Sequence, residues 1–169
     1  MPDKTIQLGE ITIRTDLRPG DIGFVTYLHG DLYKKEYDYG IAFESYVALG
    51  LNEFYQQYDP STNRIWMGEH LGNRIGFMLL MNRGEAAQLR YFLIHPDYRG
   101  IGLGNKLMEL YMEFLKACKY KSSYLWTTHE LDAAAHLYKR HGFVLTEEKE
   151  SDAFGKHVIQ NRYELKLKI

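Results

Sequence analysis

Three alternating glycines are the residues of this chain best suited to chemistry. They stand in Asp97-Tyr98-Arg99-Gly100-Ile101-Gly102-Leu103-Gly104, between a β-like stretch and an amphipathic helix. A glycine-rich loop that opens a helix makes an anion site, because unpaired N–H groups point outward and the helix dipole favours negative charge. Glycine also lets the backbone approach a pyrophosphate closely. Three readings compete. A P-loop needs Lys-Ser/Thr after its last glycine, whereas Gly104 is followed by Asn105-Lys106-Leu107. A dinucleotide fingerprint needs a glycine three residues after Gly102, where Asn105 stands. The third is a tight strand-to-helix turn that holds no ligand.

Other reactive residue types carry weaker signals. The seven histidines show no metal-ligand spacing and there is no His-Glu-x-x-His, so no metal is expected. The single cysteine, Cys118 in FLKACKY, reads as a structural thiol on a helix and excludes an internal disulfide. The 14 tyrosines suit a pocket, an interface or an aromatic core.

The elements that must position these residues follow from periodicity. Ile11 to Arg14 alternates as a strand. Asp21 reads as the cap of a helix over IGFVTYLHGDLYKKEY, and Phe43, Val47, Leu51, Phe54 and Tyr58 mark a second helix. Strands are expected at Arg64 to His70, Arg74 to Met81 and Ala86 to Ile94, joined by short turns and therefore antiparallel. After the glycine loop come a helix with Leu103, Leu107, Leu110, Tyr111, Phe114 and Leu115 on one side, a strand at Tyr124 to Thr128, and a helix at Leu131 to His141 ended by Gly142. Phe143 to Glu147 and Val158 to Leu167 are the last strands expected.

Composition bounds the function. The 169 residues fit one domain, and 45% hydrophobic content suffices for one core. A formal net charge of -1 gives no footprint for nucleic acid, and no apolar run is long enough to span a bilayer. MPDKTIQLGE has no apolar signal core, so a cytoplasmic location is expected.

Arg99-x-x-Gly102-x-Gly104 resembles the Arg/Gln-x-x-Gly-x-Gly/Ala signature of the GNAT family of N-acetyltransferases. LRYFLIHPDYRG is similar to that family's fourth strand and the proline after it. Ala134-Ala135-His136-Leu137-Tyr138-Lys139-Arg140-His141-Gly142-Phe143 resembles its Ala-x-x-Leu-Tyr-x-x-x-Gly-Phe segment. The likeness runs from about Ile11 onward. It is nearest to the acetyltransferase half of MarR-linked bifunctional proteins, through LRPGDIG, Leu125-Trp126-Thr127 and Phe154-Gly155. The DNA-binding half of those proteins has no counterpart in these residues.

The resemblance implies an α/β (α+β) fold: a mixed, mostly antiparallel twisted sheet of about six to seven strands flanked by about four helices. It implies a single domain over 1–169 with its core motif in 86–145. Acetyl-CoA would be the acyl donor, its pyrophosphate on the amides of Arg99, Gly100, Ile101, Gly102, Leu103 and Gly104, with Asn105 at the helix start. The pantetheine arm would pair with Phe92, Leu93 and Ile94 as an added strand, which requires the fourth and fifth strands to diverge. An N–H near Phe92 would face the developing oxyanion. Tyr138 matches the tyrosine that serves as general acid toward the thiolate; a phenol, with a reference pKa of about 10, is protonated at neutral pH.

No carboxylate follows Glu85 on the fourth strand, where many members carry a glutamate. Glu36, Glu44, His29 and Glu69 are the alternatives for a general base, beside a water chain. Leu131 stands where an asparagine often contacts coenzyme A, which leaves Thr128 or Asp132 to substitute. Tyr33, Tyr37, Phe43 and Tyr46 either line an aromatic acceptor pocket or pack between helices. The expected activity is transfer of acetyl to a primary amine of a small molecule or peptide by direct attack in a ternary complex. The alternative is a non-catalytic acyl-CoA-binding module. Neither nucleic acid nor membrane is an expected partner, and a homodimer is compatible with the family.

Overall fold

The apolar run Phe77-Met78-Leu79-Leu80-Met81 has no polar residue to turn toward solvent, so both of its faces must be covered. It lies in the interior of a seven-stranded sheet with helices on either side. The computed structural model describes residues 5–168. Residues 1–4 and 169, which belong to the expected domain, lie outside the described residues.

The elements in chain order are β1 (Thr12–Arg14), α1 (Asp21–Tyr37), α2 (Ile41–Gln56), β2 (Arg64–His70), β3 (Asn73–Arg83), β4 (Ala86–Ile94), α3 (Leu103–Ala117), β5 (Ser122–Thr128), α4 (Asp132–Arg140), β6 (Val144–Ser151) and β7 (Val158–Lys166). Short 3-10 turns occupy Leu8–Glu10 and Pro96–Tyr98. The strand order is β1-β2-β3-β4-β5-β7-β6. Every neighbouring pair is antiparallel except β4 with β5. This is the mixed sheet with four flanking helices that the sequence leads one to expect.

Alternation divides the sheet between two apolar layers. Ile65, Met67, Phe77, Leu79 and Met81 face Val25, Phe43, Val47, Leu51 and Phe54 of α1 and α2. Trp66, Met78, Leu80, Ala87 and Leu89 face Leu103, Leu107, Tyr111 and Leu115 of α3 and Leu137 of α4. Within β4 the alternation breaks. Ala87 and Leu89 belong to the α3 layer, but so do Phe92 and Ile94, while Tyr91 turns to the α2 layer. The cause is a bulge: Arg90 opposes Leu79 and Leu93 opposes Phe77, so β4 spends one residue more than β3. Tyr91 takes the strained left-handed conformation there, with φ 55. Its ring is held against α2, where a Cβ added to Gly50 would stand 1.7 Å from the Tyr91 hydroxyl oxygen.

Asp21 corrects the expectation of a helix cap. Gly20 takes the capping position and Asp21 is the first helical residue, fully buried. Its carboxylate accepts from Arg14 Nη1 and Nη2 at 2.8 and 2.6 Å, from Arg74 Nε at 2.7 Å and from the Arg18 N–H at 2.8 Å. It thereby ties β1, β3 and α1 together, and Arg14 extends the network to Glu69. Burial alone would push the Asp21 carboxyl up; the bonds from Arg14, Arg18 and Arg74 outweigh it and leave the pKa below the ordinary carboxylate value.

Asp21→Asn takes the buried carboxylate from Arg14 and Arg74, leaves Arg14 with Glu69 as its remaining carboxylate partner, and is expected to cost about 3 kcal/mol in urea denaturation at pH 7. A depressed carboxyl stabilises the fold above its unfolded pKa of about 4 and loses that contribution as pH falls through the lower folded value. The acid-induced loss of stability should therefore be shallower in Asp21→Asn than in the native protein. Gly50→Ala must displace the buried Tyr91 ring, and a thermal melt should show a loss of about 1–3 kcal/mol.

Candidate active site

β4 and β5 are paired only over Ala86–Gln88 and Ser122–Tyr124. Beyond Gln88 the bulge carries β4 away, and Tyr91 and Phe92 have no register partner on either neighbouring strand. The expected divergence of the fourth and fifth strands is present. A cavity of about 230 Å³ opens in the gap. Leu89, Arg90, Tyr91 and Phe92 form one wall, and Trp126, Thr127 and Thr128 the other. Because the sheet is open here, the cavity meets both layers: His29, Tyr33, Phe43 and Tyr46 reach it from α1 and α2, and Leu131, Ala134 and Tyr138 from the α4 side. The hairpin of β6 and β7 closes it with Lys149, Phe154 and Gln160. That hairpin is docked by the Gly40 N–H, which donates to the Phe154 carbonyl at 2.9 Å.

Tyr138 and Phe92 come together in this cavity, with ring centroids 6.3 Å apart. Tyr138 is 5% exposed, and burial raises its pKa well above the ordinary phenol value, so it is a proton donor throughout the neutral range. Its hydroxyl bonds to no other described residue. His29 also lines the cavity. Its Nδ1 lies 2.7 Å from the Val25 carbonyl, which can only accept, so in the neutral ring Nδ1 donates and Nε2 keeps the lone pair. Burial pushes the His29 pKa down to about 4.

The carboxylates considered as bases stand elsewhere. Glu36 receives a two-pronged bond from Arg99, at 2.6 and 3.2 Å. Glu44 sits in the seam between α1 and α2, where a Cβ on Gly30 would lie 2.2 Å from its Oε1. Glu69 is paired with Arg14. None of the three lines the cavity. Tyr37 is likewise outside it; its carbonyl accepts from Lys156 at 2.7 Å. Tyr33, Phe43 and Tyr46 do line it, while also packing together: the Tyr33 and Phe43 rings are 4.5 Å apart. Thr128 accepts from the Tyr39 hydroxyl at 2.9 Å, and Asp132 begins α4.

The glycine loop lies outside the cavity lining. Gly102 precedes α3 with φ 92, a conformation that favours glycine, and Lys106 is the first residue to donate back into the helix, to the Gly102 carbonyl at 3.0 Å. The N–H groups of Leu103, Gly104 and Asn105 are thus left at the open helix end. The Arg99 N–H is used by the Pro96 carbonyl at 3.2 Å, which takes it out of the set expected to face an anion. The Arg99 side chain also holds the Ile94 carbonyl at 3.1 Å, joining the end of β4 to the loop and to α1. Asn105 is fixed by His141 at 2.9 Å and Glu109 at 3.0 Å. Leu93 packs with Leu28 and Leu32, and Ile94 lies against Gly104.

Sequence reasoning missed Tyr39, Arg90, Trp126, Lys149 and Gln160 as lining residues. Arg90 could have been suspected as the one charge within an apolar strand. Lys149 carried no signal, because it stands among alternating charges on an edge strand. Among the described residues no group of three His, Cys, Asp or Glu side chains could hold a metal ion, and no helix is long and apolar enough to cross a membrane.

The chain resembles known proteins in sequence and in fold. It is 32% identical over 97 residues to an uncharacterized N-acetyltransferase of Escherichia coli, YjgM, a match that covers 55% of this chain and 58% of that protein. The chain thus spans somewhat over half the length of that relative. In fold it is similar to an acetyltransferase from Streptococcus agalactiae, with a TM-score of 0.71 at 21% identity over 94% of this chain and 99% of that one. It is also similar to spermidine N-acetyltransferase from Vibrio cholerae in complex with CoA and spermine, with a TM-score of 0.69 at 22% identity over 94% and 96%. Residues 29–143 match the model of the acetyltransferase (GNAT) family, and the chain belongs to that family.

Proposed function

We propose that the protein transfers the acetyl group of acetyl-CoA to a primary amine, in a ternary complex formed at the gap between β4 and β5. The observation that carries this reading is the meeting of Tyr138 with the unpaired backbone of Tyr91 and Phe92 in one cavity. The N–H groups at the start of α3 would hold the pyrophosphate, with support from Arg99 as the brace of the loop. The free β4 edge suits the amide groups of the pantetheine arm, and the complex of the Vibrio cholerae enzyme with CoA supports such a ligand.

In the reaction the amine nitrogen bonds to the thioester carbonyl carbon and the carbon–sulfur bond breaks. The sulfur takes up one proton, for which Tyr138 is the proposed donor, and the nitrogen gives one up. The products are the N-acetyl amine and free CoA thiol. No carboxylate lines the cavity to accept the amine's proton. His29, neutral at pH 7, is proposed as a hydrogen-bond acceptor that orients the amine, and water as the route out. Glu36 is proposed to fix Arg99 rather than to act as a base. Through LRPGDIG, Leu125-Trp126-Thr127 and Phe154-Gly155 the protein is proposed to stand nearest to the acetyltransferase half of MarR-linked proteins.

The lack of a lining carboxylate also supports a second reading, an acyl-CoA-binding module without turnover. Two measurements decide. Calorimetric titration with acetyl-CoA should give binding near one to one, and Gly102→Glu should weaken it at least tenfold while its thermal melt still shows a folded protein. Tyr138→Phe should keep acetyl-CoA affinity within threefold and lower kcat with an amine library by about a hundredfold. Binding without turnover in the native protein would favour the module.

A further inference from the structure

The cavity has an unbalanced charge. Arg90 and Lys149 line it, and no Asp or Glu does. The chain as a whole has a formal charge of -1, so the imbalance is local. Neither cation is neutralised by an ion pair with another described residue. Both are held on aromatic faces instead. The Arg90 guanidinium carbon is 4.7 Å from the Tyr91 ring centre and 5.7 Å from that of Tyr46, whose hydroxyl lies 3.3 Å from Nη2. The Lys149 ammonium nitrogen is 4.3 Å from the Trp126 ring centre. Glu53, the carboxylate of α2 on the Tyr91 side, is exposed and pairs with neither.

An aromatic face positions a cation without cancelling its charge. Two such cations disfavour a polyamine, whose own charges they repel. They favour a ligand that brings an anion, and a guanidinium takes a carboxylate through strong, two-pronged charge-assisted bonds. The same positive field lowers the pKa of a nearby ammonium and so promotes the neutral, nucleophilic amine. The field favours the neutral amine in a cavity that lacks a carboxylate base, and the proton itself still leaves to water.

We propose that the acceptor is an α-amino acid, its carboxylate held by the charges of Arg90 and Lys149 and its side chain set against the aromatic wall of Tyr33, Phe43 and Tyr46. The proposal rests on the transferase reading above and narrows its acceptor. It gives Arg90 and Lys149 a part in specificity that the glycine loop and Tyr138 do not share.

The test uses the full chain with acetyl-CoA and a panel of the common α-amino acids, their α-amides and spermidine. Thiol release is followed for the native protein, Arg90→Gln and Lys149→Gln, with thermal melts to confirm that each variant folds. At least one amino acid should exceed its own amide tenfold or more in kcat/KM, and spermidine should be poorer than both. Each variant should lower that preference at least fivefold, chiefly through KM. Equal or better use of the amides or of spermidine overturns the proposal. So does turnover confined to amines without a carboxylate, or a preference that neither variant moves. Direct calorimetric titration separates the two levels. If acetyl-CoA does not bind, the transferase reading fails. The carboxylate site is then decided by whether any amino acid binds more tightly than its amide and loses that advantage in Arg90→Gln.

Discussion

The left-handed turn at Tyr91 is the constraint on which the site depends. A non-glycine residue in that conformation costs roughly 1–3 kcal/mol, and it persists only where its surroundings hold it. Here Arg90 stacks on the ring, His29 meets it edge-on at 5.8 Å, and Gly50 leaves the room that its hydroxyl occupies. The extra residue reverses the alternation of β4, so that Phe92 and Ile94 join the layer that Ala87 and Leu89 already share. The pairing with β5 ends at Gln88, just ahead of the bulge. Without the bulge β4 would continue as a partner of β5, the sheet would close, and no backbone would be left free to meet a ligand.

An opening in the middle of a sheet must be framed by something rigid. On one side the frame is the Asp21 network, which fixes the start of α1 to β1 and β3. At the other end of α1, Glu36 grips Arg99, which grips the Ile94 carbonyl. The helix that covers the cavity is thus tied at both ends, once to the sheet edge and once to the glycine loop. The close approach of Gly40 to Gly155 lets the last hairpin dock on the turn between α1 and α2, and this brings Phe154 over the cavity.

The chemistry of the cavity is set by charge more than by any one base. Its titratable lining consists of tyrosines, most of them buried and Tyr46 half exposed, a histidine kept neutral by burial, and two cations seated on aromatic rings. Burial keeps the Tyr138 phenol protonated and the His29 ring neutral across the neutral range. In the proposed reaction Tyr138 gives its proton to the leaving thiolate, while the two cations hold an anion and favour a neutral amine.

The sequence by itself determined the class of fold, the order of the elements and the place of the glycine loop, because these depend on local patterns. Phe77–Met81 had to be buried on both faces, and Gly102 and Gly104 had to stand at a helix start. The family signature in Arg99–Gly104 and the Leu137-Tyr138…Gly142-Phe143 segment was legible for the same reason. Only the tertiary structure decided which side chains share a cavity. The reversed alternation at Tyr91 cannot be read from AQLRYFLI, where apolar residues fill both parities. Asp21 looked like a cap because the partners that bury it, Arg14 and Arg74, lie 7 and 53 residues away in sequence. Glu36 and Glu44 looked available as bases until packing set one against Arg99 and the other against Gly30. Lys149 entered the site through the register of β6 on β7, opposite Gln160. Proximity in each case was set by strand pairing and helix packing over long separations, and neither leaves a local mark in the chain.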